Sequence, residues 1–244
     1  TTYAWSRAAV TGISNAAATG SGAVNETLIN TTSAPINVTY VYTLSINGCS
    51  TTNNVIVPIY PDLNLNSGLT PAAICDGTTF SYLPTSQVSG VAFSWTRASI
   101  SGITQATNSG TGSISEVLNN TTTAPISVNY VYTLNANGCS KPNTVSVVVN
   151  PTPVLTSLLS RVVCNNVAFN YTATTATTGT TFAWTRAAVS GISNASATGT
   201  GASINETLNN TTTAPIVVNY LITLTANGCN NTQTLAVTVN PTPT

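Results

Sequence analysis

Apolar residues in this chain recur with a period of two, and no stretch sustains the three-to-four spacing of a helix. In Phe93-Ser-Trp-Thr-Arg97 the alternation sets Phe93, Trp95 and Arg97 on one face of an extended segment. In Val128-Asn-Tyr-Val-Tyr-Thr-Leu134 it does the same for Val128, Tyr130, Tyr132 and Leu134. Thr144-Val-Ser-Val-Val-Val149 is β-branched almost throughout, which suits a pleated sheet. Asn137-Gly138 between these last two runs is a tight hairpin signal. Short alternating runs separated by Gly, Asn and Thr turns predict an all-β protein of antiparallel sandwiches, immunoglobulin-like in type.

The pattern repeats. Trp5, Trp95 and Trp184 recur at nearly equal intervals, as do Glu26, Glu116 and Glu206. Pro35, Pro125 and Pro215 keep the same interval, and so do Cys49, Cys139 and Cys229. The period of about 90 residues exceeds the roughly 20–50 of a solenoid unit and fits one independent small domain per copy. Asn150-Pro-Thr-Pro153 and Asn240-Pro-Thr-Pro243 each close an alternating run, and Tyr60-Pro61 holds the equivalent place earlier. Such proline links are short and semi-rigid, so the copies are expected end to end. The expected division is a truncated copy at 1–60 and complete copies at 61–152 and 153–244, the whole being a fragment that opens inside a unit.

Charge narrows the functional classes. Five basic and five acidic residues cancel among 244, so nothing in the electrostatics points to nucleic acid or an anionic membrane. No apolar stretch is long enough to span a bilayer, so no membrane insertion is expected. Histidine is absent, which removes the commonest general base and metal ligand. No catalytic residue, cofactor site or metal site is assigned. Asp62 is the one acid near a copy boundary, too few for junctional calcium, and Ala197-Thr-Gly-Thr-Gly201 lacks the lysine and helix of a phosphate cradle. Asn-x-Thr sequences such as Asn120-Thr-Thr122 and Asn210-Thr-Thr212 arise readily in so Asn- and Thr-rich a chain.

Three structural constellations stand out. The tryptophans Trp5, Trp95 and Trp184 sit at core-facing parity and are expected to anchor each core; stacking on a ligand is the rival role. Arg7, Arg97 and Arg186 follow the tryptophans by two, and Glu26, Glu116 and Glu206 lie a near-constant distance further on, at inward-facing positions. Two opposite charges leaning inward should pair, because a lone buried charge is costly. A carboxylate catalytic site would need a second acid that no copy supplies. Cys75 and Cys139 fall in copy two, and Cys164 and Cys229 in copy three, at almost the same separation. A disulfide within each complete copy is therefore expected, near one pole of the sandwich, with the partner of Cys49 outside the chain. Disulfides would place the protein in an oxidising, extracytoplasmic setting.

Cys-(Asp/Asn)-(Gly/Asn), Phe-x-Trp-Thr-Arg-Ala, the Thr-Thr-Ala-Pro block, Asn-Gly-Cys and Val-x-Val-Asn-Pro-x-Pro recur together in copies two and three. This combination resembles the PKD-like repeat of very large Bacteroidota surface proteins, notably gliding adhesins of the SprB type. It departs from the usual Trp-Asp-Phe-Gly-Asp-Gly stretch, which here reads Trp95-Thr-Arg-Ala. The resemblance implies type IX export, display as long filaments at the cell surface, and a part in attachment and gliding. The expected partners are extracellular surfaces or polysaccharide, with self-association as a further possibility. A carbohydrate-binding or spacer module of a secreted enzyme, and a self-associating filament subunit, are the alternative functions.

Overall fold

The computed structural model describes residues 2–243, and every regular element in them is a strand. In copy one these are β1 (Thr2–Arg7), β2 (Ala18–Ser21), β3 (Ile36–Ile46) and β4 (Cys49–Ile59), one sheet in the order β2-β1-β3-β4. Copy two adds β5 (Ile74–Cys75), β6 (Thr78–Tyr82), β7 (Ala92–Arg97), β8 (Asn108–Thr111), β9 (Ile114–Leu118), β10 (Ile126–Ala136) and β11 (Cys139–Asn150). Copy three repeats them as β12 (Ser160–Cys164), β13 (Ala168–Thr172), β14 (Thr181–Arg186), β15 (Ala197–Thr200), β16 (Ser203–Thr207), β17 (Ile216–Ala226) and β18 (Cys229–Asn240).

Copies two and three are all-β sandwiches of immunoglobulin-like form. In copy two a five-stranded sheet, β5-β11-β10-β7-β8, faces the two-stranded sheet β6-β9. Copy three repeats this with β12-β18-β17-β14-β15 against β13-β16. The alternation in sequence decides which side faces in. Val128, Tyr130, Tyr132 and Leu134 of β10 and Val145, Val147 and Val149 of β11 are wholly buried. Phe80 and Tyr82 of β6 meet them from the other sheet, Phe80 lying 5.3 Å from the Tyr130 ring centre.

The hairpin β10–β11 is the spine of copy two, and its tip turns at Asn137-Gly138 with φ of 52° and 76°. Both residues are left-handed, as the tight turn matched to strand twist requires. Trp95 lies across the sheet from Gly110, where an added Cβ would sit 2.7 Å from the indole carbon Cζ2. Glycine there lets the ring lie flat on the neighbouring strand. Gly20 and Gly199 do the same beneath Trp5 and Trp184. Trp5 and Trp95 are buried, whereas Trp184 is only half-buried.

The topology overturns the expected pairing of Cys75 with Cys139 and of Cys164 with Cys229. β5 runs parallel to the end of β11, which sets Cys75 beside Asn150. Cys139 begins β11, eleven residues earlier. At about 3.3 Å per residue the two cysteines stand roughly 36 Å apart, at opposite poles of one sandwich. A disulfide tolerates only about 4.4–6.8 Å between Cα atoms. Cys164, beside Asn240, and Cys229, at the start of β18, are separated in the same way. The bond that does form joins Cys75 of copy two to Cys229 of copy three, with Cα atoms 5.6 Å apart. Cys49, Cys139 and Cys164 are exposed free thiols.

Candidate functional site

Each copy holds an ion pair with a buried arginine, and in copies two and three it lies between the two sheets of the sandwich. Strand parity turns Arg97 inward from β7 and Glu116 inward from β9, so the pair ties one sheet to the other. Arg97 Nη2 and Nε donate to the two carboxylate oxygens of Glu116 at 2.7 and 2.9 Å. The remaining guanidinium hydrogens go to the backbone carbonyls of Ala98, Gln105 and Ala106. The Tyr130 hydroxyl donates to Glu116 at 2.5 Å. Arg186–Glu206–Tyr220 repeats the arrangement in copy three, and Arg7–Glu26–Tyr40 repeats it in copy one.

The electrostatics follow from these contacts. Burial alone would push the Glu116 carboxyl upward, but hydrogen bonds from Arg97, Tyr130 and Asn108 outweigh it and hold it below its ordinary 4.5. Glu206 is lowered by the same balance. Arg7 holds the Glu26 carboxyl down at about 2. Burial first, then the nearby carboxylate, pushes the Tyr130 and Tyr220 phenols well above their ordinary 10. Such a centre keeps its charges fixed over the physiological range. In copies two and three it ties a strand of the large sheet to a strand of the small one.

A second buried polar knot escaped the sequence reading. Asn120 accepts from the Thr122 backbone N–H and hydroxyl, and its Nδ2 donates to the carbonyls of Ala124 and Val149. The Asn120 backbone N–H donates to Asp76 at 2.7 Å. Asn30 and Asn210 make the same side-chain contacts in their copies. The amide of Asn120 is therefore spent on folding the Thr-Thr-Ala-Pro turn against the end of β11, and its recurrence beside that block was the available signal.

The junction between copies two and three is the most specialised surface of the chain. Copy three presses the tip of its long hairpin, Ala226-Asn-Gly-Cys229, against the far pole of copy two. Cys229 is 1% exposed there, and Ala226 2%. Besides the disulfide, Asn150 donates from Nδ2 to the Asn227 carbonyl at 3.0 Å. Linking segments are stitched back to their own hairpins: Leu155 N–H donates to Gln233 at 2.6 Å, and Asn231 donates to the Pro153 carbonyl at 3.0 Å. Lys141 pairs with Asp62 on the equivalent exposed surface of copy two. The junction between copies one and two carries no disulfide, and a polar cavity of about 220 Å³ lies there, lined by Thr32, Ser33, Asp62, Asn64 and Gln87 among others.

Two sandwiches joined pole to pole define a modular all-β protein built of tandem immunoglobulin-like domains. A family model described as a PKD-like domain matches residues 72–153 and again 161–243. The chain belongs to the PKD-like domain family. No curated protein matches it significantly. Among solved structures, the IG1+IG2 fragment of DIP-gamma matches at 10% identity and a TM-score of 0.38, covering 75% of this chain and 99% of that one. Extracellular domains 3–5 of Drosophila OTK match at 12% identity and a TM-score of 0.36, covering 85% and 72%. Immunoglobulin domains 1–4 of Sidekick-1 match at 11% and 0.38, covering 98% and 67%.

Proposed function

We propose that this chain is a structural segment of a long extracellular surface adhesin, a filament of the gliding-adhesin kind displayed for attachment. The observation that carries this reading is the Cys75–Cys229 bond, which fixes one copy to the next. A covalent lock between neighbours serves reach and stiffness, and a disulfide persists in an oxidising compartment outside the cytosol. The interior of each copy is spent on cohesion: the ion pairs, the asparagine knot and the aromatic core all face inward. Contact with a surface, a polysaccharide or other filaments would then be weak per copy and multiplied by number. A carbohydrate-binding role would call for aromatic side chains aligned on one exposed face of each copy. Among the described residues the exposed aromatics are Tyr3 and Tyr60, both in copy one, while Phe93 and Phe182, at the place of Tyr3, are half-buried. The test is immunolabelling of intact source cells with an antibody raised against one copy. Label along thin projecting filaments, with attachment blocked by the antibody, is the expected result. Label confined to a soluble protein in the culture fluid would sink the reading.

A further inference from the structure

The two halves of the stapled junction each occur a second time on the chain. At the far pole of copy two, Cys75 pairs in parallel with Asn150, and the Asp76 N–H donates to the Asn150 carbonyl at 2.8 Å. At the far pole of copy three, Cys164 pairs in parallel with Asn240, and the Asn165 N–H donates to the Asn240 carbonyl at 3.0 Å. The inserted tip, Ala226-Asn-Gly-Cys229, recurs letter for letter as Ala136-Asn-Gly-Cys139. Its backbone is also the same, with φ of 50° and 81° at Asn227 and Gly228 against 52° and 76° at Asn137 and Gly138. Asn47 and Gly48 before Cys49 turn alike, at 47° and 81°. What differs is cover: Cys229 is buried under its neighbour, while Cys49, Cys139 and Cys164 stand exposed with free thiols.

We propose that the Cys75–Cys229 bond is one rung of a continuing series. In it Cys164 takes the tip cysteine of a further copy of this repeat, and Cys139 and Cys49 each take the pole cysteine of a copy bearing a β5-like strand. The partner is another repeat of the same kind, recognised by the Asn-Gly-Cys turn and the asparagine that receives it. Each rung forms by thiol–disulfide exchange with a small disulfide oxidant. The Cys164 thiolate attacks the oxidant, joins one of its sulfurs and expels the other as a thiolate. The tip cysteine's thiolate then attacks Cys164 sulfur and expels the second. Two protein thiols are oxidised to one disulfide, the oxidant leaves as two thiols, and these take up the two protons.

The mechanical consequence rests on the stalk reading; the rung chemistry does not. From Cys139 to Cys164 the chain runs through β11, the proline link and β12. Fully extended, that stretch of roughly 25 residues is about 85 Å long. Two copies whose spines are each about 40 Å long span nearly as much. Tension entering at Cys139 and leaving at Cys164 therefore meets a segment that is already almost taut. The segments between Cys75 and Cys139 and between Cys164 and Cys229, which build the rest of each sandwich, lie off that path. The filament would resist extension without asking any sandwich to resist unfolding.

The experiment is a non-reducing peptide map of the full chain extended at its end by a second copy of residues 153–244, alkylated after oxidative folding. The expected result is Cys75 linked to Cys229 and Cys164 linked to the tip cysteine of the added copy, with Cys49 and Cys139 alkylated. An alkylated Cys164, or Cys164 linked to Cys229, overturns the series. Should the extended chain fail to fold, single-molecule stretching of the 244-residue chain tests the rung. The bond encloses 154 residues, so the oxidised chain should release about 550 Å less contour than the reduced one. Equal lengths overturn the proposal. Filament labelling that fails while the rungs map as expected would sink the stalk reading alone.

Discussion

Copies one and two share almost every long strand and differ in how the core is closed. In copy two, β6 and β9 cover the inner face of the large sheet, and Tyr130, Tyr132, Leu134 and Val145 are wholly buried. In copy one the described residues hold no counterpart of that small sheet, and residues 22–29 carrying Glu26 run without strand pairing. Tyr42, at the place of Tyr132, is half-buried, and Val55, at the place of Val145, is 46% exposed. The same amphipathic hairpin is thus a core in one setting and an open groove in the other. The small sheet contributes few residues, yet it decides whether the large one is dry.

The largest effect should come from making copy two resemble copy one. Phe80 is buried against Tyr82 and Tyr130, and Phe80→Ala is expected to cost about 3–5 kcal/mol by emptying the contact between sheets. Read by hydrogen exchange, protection of β10–β11 should fall toward that of β3–β4. Unchanged protection would mean that the hairpin stands without its cover, and the comparison would lose its basis.

Arg97→Leu ranks next. It strands Glu116 between the sheets, and breaking a buried pair by removing one partner costs about 3 kcal/mol or somewhat more. Arg7→Leu should cost clearly less, because the Glu26 side chain is 17% exposed against 10% for Glu116 and can rehydrate. Replacing both Arg97 and Glu116 with leucine should recover much of the loss. Denaturant unfolding of the four chains checks this; equal costs at Arg7 and Arg97 would show that the second sheet adds nothing to the pair.

How much of this was legible depends on the range over which residues act. Strand faces were readable because alternation is local, and β7 and β10 carry it without interruption. The meeting of Arg97 with Glu116 followed from parity alone, since two inward charges of opposite sign have few other partners. The cysteine pairing was not legible. Spacing treats Cys75 and Cys139 as members of one copy, but a parallel pairing of two residues, Ile74 and Cys75 with Val149 and Asn150, carries Cys75 to the far pole. A short parallel contact has no periodicity to announce it. The asparagine knot was hidden for another reason: Asn120-Thr-Thr122 resembles a surface sequon, and only the closeness of the Val149 carbonyl shows that its amide is occupied.

A feature common to both copies gives a smaller effect. Gly110→Ala would bring a methyl group to 2.7 Å from the Trp95 indole, and Gly20→Ala to 2.6 Å from Trp5. The ring must shift, at about 1–3 kcal/mol by analogy with overpacked cores. The cost should be similar in both copies, since the clash lies within the large sheet. Tryptophan fluorescence and thermal unfolding would read it. A cost found only in copy two would mean that the small sheet, rather than the flanking strand, pins the indole.

The finest test is acid titration of the ion pairs. A carboxyl whose folded pKa is lowered contributes stability that is present above its unfolded value and lost as pH falls through the folded one. Glu116 and Glu206 are both lowered, and Glu26 reaches about 2 from an ordinary 4.5. Their contribution is thus complete above about pH 5 and for Glu26 fades only toward pH 2. The tyrosines bound the other side: with folded values raised, Tyr130 and Tyr220 withdraw stability only as pH climbs beyond their ordinary 10. Carboxyl carbon chemical shifts followed from pH 6 to pH 2 should show Glu26 still charged at pH 3. That outcome separates two properties of the pair. The hydrogen bonds from Arg7 and Tyr40 set its ionisation without the small sheet, whereas the cost of breaking it depends on whether water can reach the carboxylate left behind. A Glu26 midpoint near 4.5 would instead make the charge itself a product of the closed sandwich.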